Sequence, residues 1–326
     1  MPPGRETGSD RTRYLKERTL GILLVTPTMV IVLLVVVIPL LYAIWLSLGS
    51  TGIVISGGMG QVTGRFVGLS NYWYFLRNPS FWDAFLGTLY YTVVSLAVEL
   101  VLGTLIALLL NRDFRGRWLV RAVIIVPWAI PTVVNARLWS QILNGEAYGP
   151  LNALLLQWRL IKQPVVWLNV SVFPKTAVLG PVLKFFHASL ALNMVLLGDT
   201  WHVLPLVVLL ILAALQTIPQ DYYEAAVIDG ANAWRRFWYI TFPLLKPIIM
   251  IVLVVRTMDL FRVFDILYII LGYGVNVLAI KTFQEAFEFG YFGRGAALAV
   301  IVALLILLLS FVYMRLLRSD EEGERG

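Results

Sequence analysis

The chain contains no cysteine and only two histidines, His187 and His202. The first absence excludes a disulfide framework, an iron–sulfur cluster and a thiolate metal site. The second argues against a histidine-rich metal centre, so neither a metal nor a catalytic metal ligand is expected. Charge is scarce as well. Only 14% of the 326 residues are Asp, Glu, Lys or Arg, against about 25% in an ordinary soluble domain. In their place the sequence is 59% hydrophobic, with a mean hydropathy of +0.81, which excludes a water-soluble enzyme. The 26 Lys and Arg outnumber the 19 Asp and Glu to give a net charge of +7. In a polar protein that excess would suggest nucleic acid. Here the basic residues flank long apolar runs, so they report membrane orientation and no nucleic-acid partner is expected.

A helix needs about 20 apolar residues to cross a hydrocarbon core about 30 Å thick. Six runs qualify, at about 20–48, 85–110, 118–143, 188–215, 248–271 and 296–317. The first is far longer than a signal-peptide h-region and is expected to remain in the bilayer. The second is broken only by Glu99, while the fifth carries four charges. The stretch 165–187 is also apolar, but Pro174, Lys175, Pro181 and Lys184 interrupt it, and it reads as a re-entrant or interfacial segment. The predicted fold is an all-α membrane protein, a polytopic bundle of about six transmembrane helices over 20–317. Polar tails cover 1–19 and 318–326, with the first dozen residues and Ser319 to Gly326 expected to be disordered.

Orientation follows from the loop Lys and Arg, which are retained on the cytoplasmic side. With the N-terminus inside, fifteen lie in cytoplasmic segments: Arg5, Arg11, Arg13, Lys16, Arg18; Arg112, Arg115, Arg117, Arg121; Arg235, Arg236, Lys246; and Arg315, Arg318, Arg325. Eight lie in the longer external ones: Arg65, Arg77, Arg159, Lys162, Lys175, Lys184, Lys281 and Arg294. The reading is therefore a multi-pass protein of the cell membrane, in contact with lipid, with both termini cytoplasmic. The external stretch 68–85 is rich in Tyr, Trp and Phe, as an interfacial aromatic belt or a docking surface for an external partner would be. No P-loop, H-E-x-x-H, nucleophile elbow or internal repeat is present.

The cytoplasmic loop 216–247, between the fourth and fifth runs, carries the densest local pattern. Pro219 suits the first turn of a helix, and Asp221 and Glu224 near its start complement the helix dipole. Gly230 permits a tight turn at positive φ. A second short helix then places Trp234, Trp238 and Thr241 on one face, with Pro243 and Pro247 expected to close it. Two short helices with alanines at the bend form either a knob that fills a groove in another protein or an interfacial hairpin against the bilayer.

Glu224-Ala225-Ala226, then Asp229-Gly230-Ala231, then Ile240, Pro243 and Pro247 resemble the signature of the inner-membrane permeases of binding-protein-dependent ABC importers. Other segments resemble its sugar-importing branch, that of maltose, trehalose and glycerol-phosphate permeases. They are Val67-Gly68-Leu69-Ser70-Asn71-Tyr72, Glu99-Leu100-Val101-Leu102-Gly103, Val126-Pro127-Trp128, Ala213 to Pro219 and Arg256 to Asp265. Two departures fall on the outer side: Leu271-Gly272-Tyr273-Gly274 stands where that branch usually has Thr and Gly-Gly-Pro, and the loop before the fourth run is long. The resemblance implies a type I ABC importer permease fold and a transport subunit that is not itself an enzyme. It also implies a second permease, two cytosolic ABC ATPase subunits and an extracytoplasmic solute-binding protein as partners, and no cofactor. It assigns ATPase docking to Glu224, Ala225, Ala226, Asp229, Gly230, Trp234, Ile240 and Pro243.

In the fifth run, Arg256, Asp259, Arg262 and Asp265 alternate in sign at i, i+3, so neighbouring pairs can meet on a helix surface. A charge at the bilayer centre costs about 2.5–3.5 kcal/mol on insertion scales, which makes such residues expensive without a role. One reading is a structural ion-pair ladder. The other is a polar pathway in which Asp259 and Arg262 bond sugar hydroxyls while Phe261 and Phe264 cover the apolar side of the ring. Glu99 and Asn135 either join that pathway or bond a neighbouring helix. The expected function is half of an ATP-driven import pathway for a di- or oligosaccharide. A permease for another polar solute, such as glycerol-phosphate or an oligopeptide, and an ion-coupled secondary transporter are the alternatives. A membrane enzyme would need clustered external acids, and Asp83, Glu146, Glu285 and Glu288 form no such cluster in the sequence.

Overall fold

A computed structural model of the chain describes residues 8–56, 59–171 and 179–323. Helix α1 (Gly8–Val32) runs through a π-turn (Leu33–Val37) into α2 (Ile38–Ser47). From position 8 onward the expected disorder of the N-terminal segment is thus corrected, and so is that of the C-terminal tail as far as Gly323. Once a long apolar helix is formed, adding residues to either end avoids the cost of nucleation. A β-hairpin of β1 (Gly52–Ser56) and β2 (Met59–Thr63) follows, with Gly52 opposite Thr63. It is a small departure from the all-helical expectation, made by the β-branched run Ile53-Val54-Ile55.

Next come α3 (Ser70–Arg77) and the long α4 (Pro79–Leu110). Asn78 caps α4 by accepting from the Ser80 N–H at 3.0 Å, and Pro79 occupies the first turn, where no amide is missed. Two rings of the aromatic stretch 68–85, Phe75 and Phe81, are buried in the core, while Trp73, Tyr74 and Trp82 are exposed. The belt is therefore partly packing.

The third run is not one straight helix. α5 (Arg117–Ala129) and α6 (Thr132–Ile142) meet at a bend of 93°. Pro131 forces the residue before it out of the helical region, and Ile130 accordingly sits at ψ 131°. His202 Nδ1 lies 2.8 Å from the Pro127 carbonyl beside the break. In the interrupted stretch 165–187 the described residues form no span: after α7 (Pro150–Gln157) they make turns and the short α8 (Leu179–Phe185), with 172–178 outside the described residues.

The chain continues through α9 (Leu190–Leu215), α10 (Gln220–Ile228), α11 (Ala233–Arg236), a π-turn (Phe237–Thr241) and α12 (Phe242–Phe261). It ends with α13 (Asp265–Leu271), α14 (Leu278–Phe283), a π-turn (Gln284–Glu288) and α15 (Phe292–Gly323). Among the described residues five stretches are long and apolar enough to cross a membrane, and the bent α5–α6 pair makes a sixth if counted as one span.

Helices α4 and α9 pack against each other at the centre. An added Cβ at Gly103 would lie 2.8 Å from Val207 Cγ1, so a glycine is what lets the two helices approach this closely. Tyr91 and Leu96 of α4, Leu192 and Val195 of α9, Leu260 of α12 and Ile266 of α13 share one buried cluster.

Candidate functional site

Two helix breaks meet inside the bundle. Helix α12 stops at Phe261, Arg262 to Phe264 leave helical geometry, and α13 restarts at Asp265, whose charge faces a helix N-terminus. The start of α6 lies opposite. A cavity of about 460 Å³ opens there, lined by Thr132, Asp199, Arg256, Asp259, Arg262, Phe264 and Asp265 together with Leu260, Val263 and Ile266. Its size falls within the range of small-molecule sites, about 300–1,000 Å³. Discontinuous helices near the bilayer midplane are a recurrent way to build transport sites, because they expose backbone groups where polar solutes pass.

The floor of the cavity is a buried charge network. Arg256 of α12 is 4% exposed and donates two parallel hydrogen bonds to Glu99 of α4, from Nε to Oε2 at 2.8 Å and from Nη2 to Oε1 at 2.7 Å. Asp199 of α9 stands 3.8 Å from the same guanidinium and Asp259 3.5 Å from it. Three spans are thereby tied through one arginine. The side chain of Asp259 is 47% exposed to the cavity and also lies 3.8 Å from Arg262. Arg262 is anchored by an Nε hydrogen bond to the Met258 carbonyl at 3.0 Å. Phe264 stacks on Tyr268 with ring centroids 4.9 Å apart, presenting an aromatic face beside the charged groups.

At the other end of the bundle, Gly230 joins α10 to α11 with φ +74° and open space where a Cβ would be, so conformation rather than crowding selects glycine. Asn232 caps α11 by accepting from the Arg235 N–H at 2.9 Å. Tyr223 of α10 and the buried Thr241 share a hydrogen bond of 3.0 Å, which staples the two arms of the loop. Glu224, Ala225, Asp229 and Gly230 are exposed and Ala226 is half-buried. Trp234 is exposed and packs edge-on against Trp238.

The family described as "Binding-protein-dependent transport system inner membrane component" matches residues 99–319. The chain belongs to that family. The permease is 36% identical over 303 residues to the trehalose/maltose transport system permease protein MalF of Thermococcus litoralis, covering 92% of this chain and 94% of the relative. It is 30% identical over 316 residues to the trehalose transport system permease protein SugA of Mycobacterium tuberculosis, covering 95% and 92%. A crystal structure of a bacterial ABC transporter that imports the acidic polysaccharide alginate has the same fold, with a TM-score of 0.73 at 20% identity over 95% of this chain and 99% of that one.

Of the residues that the sequence offered for the pathway, Asp259, Arg262 and Phe264 line the cavity. Glu99, Asn135 and Phe261 do not: Glu99 is fully buried in its pairing with Arg256, Asn135 is fully buried, and Phe261 packs in a core cluster with Phe75 and Leu298. The i, i+3 charge ladder forms in its first two steps, Arg256–Asp259 at 3.5 Å and Asp259–Arg262 at 3.8 Å, and its last step is corrected. The helix break separates Asp265 from the rest, and among the described residues no ion pair joins it to Arg262. Asp199 and Thr132 were missed. A lone aspartate in an apolar span is itself a functional signal, and it was available for Asp199. In the 216–247 loop the second helix is not closed by Pro243 and Pro247; it continues through a π-turn into the permease's fifth span. Pro243 lies inside this continuous helical run and offers no amide to the preceding turn, and the π-turn before it absorbs the change in register. Ile240 lies within that π-turn, half-buried.

Outside the spans, burial pushes the Glu285 carboxyl up, opposed by Arg294 at 4.0 Å and by Lys281. Among the described residues no group of acids and histidines could hold a metal ion.

Proposed function

We propose that the permease forms half of a membrane pathway for a di- or oligosaccharide, with the cavity at the α12–α13 break as its polar site. The observation that carries this is the juxtaposition of Asp199, Asp259 and Arg262, which accept and donate hydrogen bonds to hydroxyls, with the ring of Phe264, which covers the apolar face of a pyranose. Relatives named for trehalose and maltose transport support that substrate class. In this reading a second permease completes the pathway and an extracytoplasmic binding protein delivers the sugar. Two cytosolic ATPase subunits receive Glu224, Ala225, Ala226, Asp229, Gly230, Trp234, Ile240 and Pro243. ATPase closure is converted into alternating access, largely by rigid-body rocking of the helix bundle.

Asp259→Asn tests the site. Because Arg256 keeps its two bonds to Glu99, the variant is expected to stay within about 0.5 kcal/mol of the parent stability, measured as a melting midpoint in detergent. Sugar uptake into vesicles is expected to fall through a weaker apparent affinity. Unchanged uptake affinity and selectivity would remove Asp259 from the pathway.

The proposed orientation places both termini and the 216–247 loop inside. Single cysteines introduced at Ser9, Ser319 and Asn232 of this cysteine-free chain are expected to resist an impermeant thiol reagent added outside, whereas one at Ser70 reacts. External labelling at Asn232 would reverse the orientation.

A further inference from the structure

A second groove, of about 770 Å³, lies away from the sugar cavity, between α4 and the α11–α12 arm of the docking loop. Its long wall is apolar. Val101, Leu105 and Leu108 of α4 face Leu245 and Ile249 of α12, and Val101 and Leu105 are more than half exposed at the open side. Its other end is cationic. Arg112 and Arg236 line it, and no acidic residue does. Among the described residues neither side chain has an ion-pair partner, and the Nε of Arg236 is buried without any hydrogen bond.

From Val101 to Arg112 the groove extends along α4 for about 16 Å at 1.5 Å per residue, close to half of a hydrocarbon core about 30 Å thick. An apolar channel one leaflet deep, ending in two unpaired guanidinium groups, matches a single molecular shape. We infer that the groove binds one anionic phospholipid, with its phosphate on Arg112 and Arg236 and an acyl chain along Val101 and Leu105. Guanidinium groups bind phosphate oxygens through short charge-assisted hydrogen bonds. Basic pockets between transmembrane helices on the cytoplasmic side take anionic headgroups in general, and Trp238, which also lines the groove, suits the headgroup level. A soluble partner reaches the cationic end but not the apolar wall inside the bilayer. Since Arg236 belongs to the second arm of the loop, the bound lipid also steadies the element that meets the ATPase.

The inference rests on the orientation proposed above, which cysteine labelling tests separately, and is independent of the sugar assignment. The complete transporter, with its ATPases, is purified from membranes containing phosphatidylglycerol and phosphatidylcholine, and retained lipid is measured by mass spectrometry. Retention of phosphatidylglycerol over phosphatidylcholine is expected, with a loss of about tenfold or more in the double variant Arg112→Gln/Arg236→Gln. Val101→Trp, which fills the apolar wall and leaves both arginines in place, is expected to reduce retention as well. Melting midpoint and subunit stoichiometry confirm that the variants assemble. Wild-type retention in the double variant overturns the inference, as does absence of bound phosphatidylglycerol because another subunit fills the groove. Equal displacement by inorganic phosphate with no effect of Val101→Trp makes the ligand a free anion and overturns it too.

Discussion

Arg256→Gln is expected to destabilise the permease by about 3–5 kcal/mol, the cost of breaking a buried pair by removing one partner. Glu99 has no exposed surface and receives both of its short hydrogen bonds from Arg256, at 2.8 and 2.7 Å. Without the guanidinium its carboxylate is left uncompensated inside the bundle. The measurement is the yield of folded protein and its melting midpoint in detergent. Arg256→Lys is expected to recover only part of the loss, because an ammonium cannot reproduce two parallel N–H···O bonds in a fixed fork. The double change Glu99→Gln/Arg256→Gln removes both charges and is expected to restore most of the stability. A single Arg256→Gln variant as stable as the parent would show that the network contributes nothing to the fold.

Reversing one charge in the docking loop is expected to abolish uptake while leaving the permease inserted and folded. Glu224 is exposed within α10 and, among the described residues, its side chain makes no hydrogen bond or ion pair. Its removal therefore costs the permease little by itself. In the proposed docking to the ATPase it offers a charge-assisted hydrogen bond worth about 1.5–3 kcal/mol, and Glu224→Lys replaces that attraction by repulsion. Gly230→Pro acts on the same interface by another route: proline fixes φ near −65°, and this position sits at +74°. Both variants are expected to co-purify poorly with the ATPase subunits and to support no sugar accumulation, at normal membrane levels. Full transport by both would detach the loop from ATPase coupling.

These two results probe parts of the molecule that differ in how far the sequence exposes them. The spans are legible because a bilayer imposes one requirement, about 20 apolar residues in a row, that no neighbouring element can override. The loop is legible because turns are local. Gly230 is needed where the backbone adopts positive φ, and Asn232 caps the helix three residues before the amide it bonds. The kink at Ile130 was within reach as well, since Pro131 alone dictates it, but a hydropathy window averages over such a break.

What the sequence by itself determined is therefore the class, the number of apolar runs, and the turn that presents Glu224. The pairing of charges was decided only by tertiary structure. Helical spacing lets Arg256 meet Asp259 three residues on, yet its strongest partner is Glu99, 157 positions away on another span. Asp199 reaches the same cavity from a third span, and Glu99, Asn135 and Phe261, polar or aromatic at suitable positions, do not line it. Periodicity reports which residues share a face of one helix. Which faces then meet depends on close approach between helices, such as Gly103 against Val207, and on where α12 breaks after Phe261. Both are set by packing across the whole bundle, because a buried charge is stable only where another helix brings it a partner.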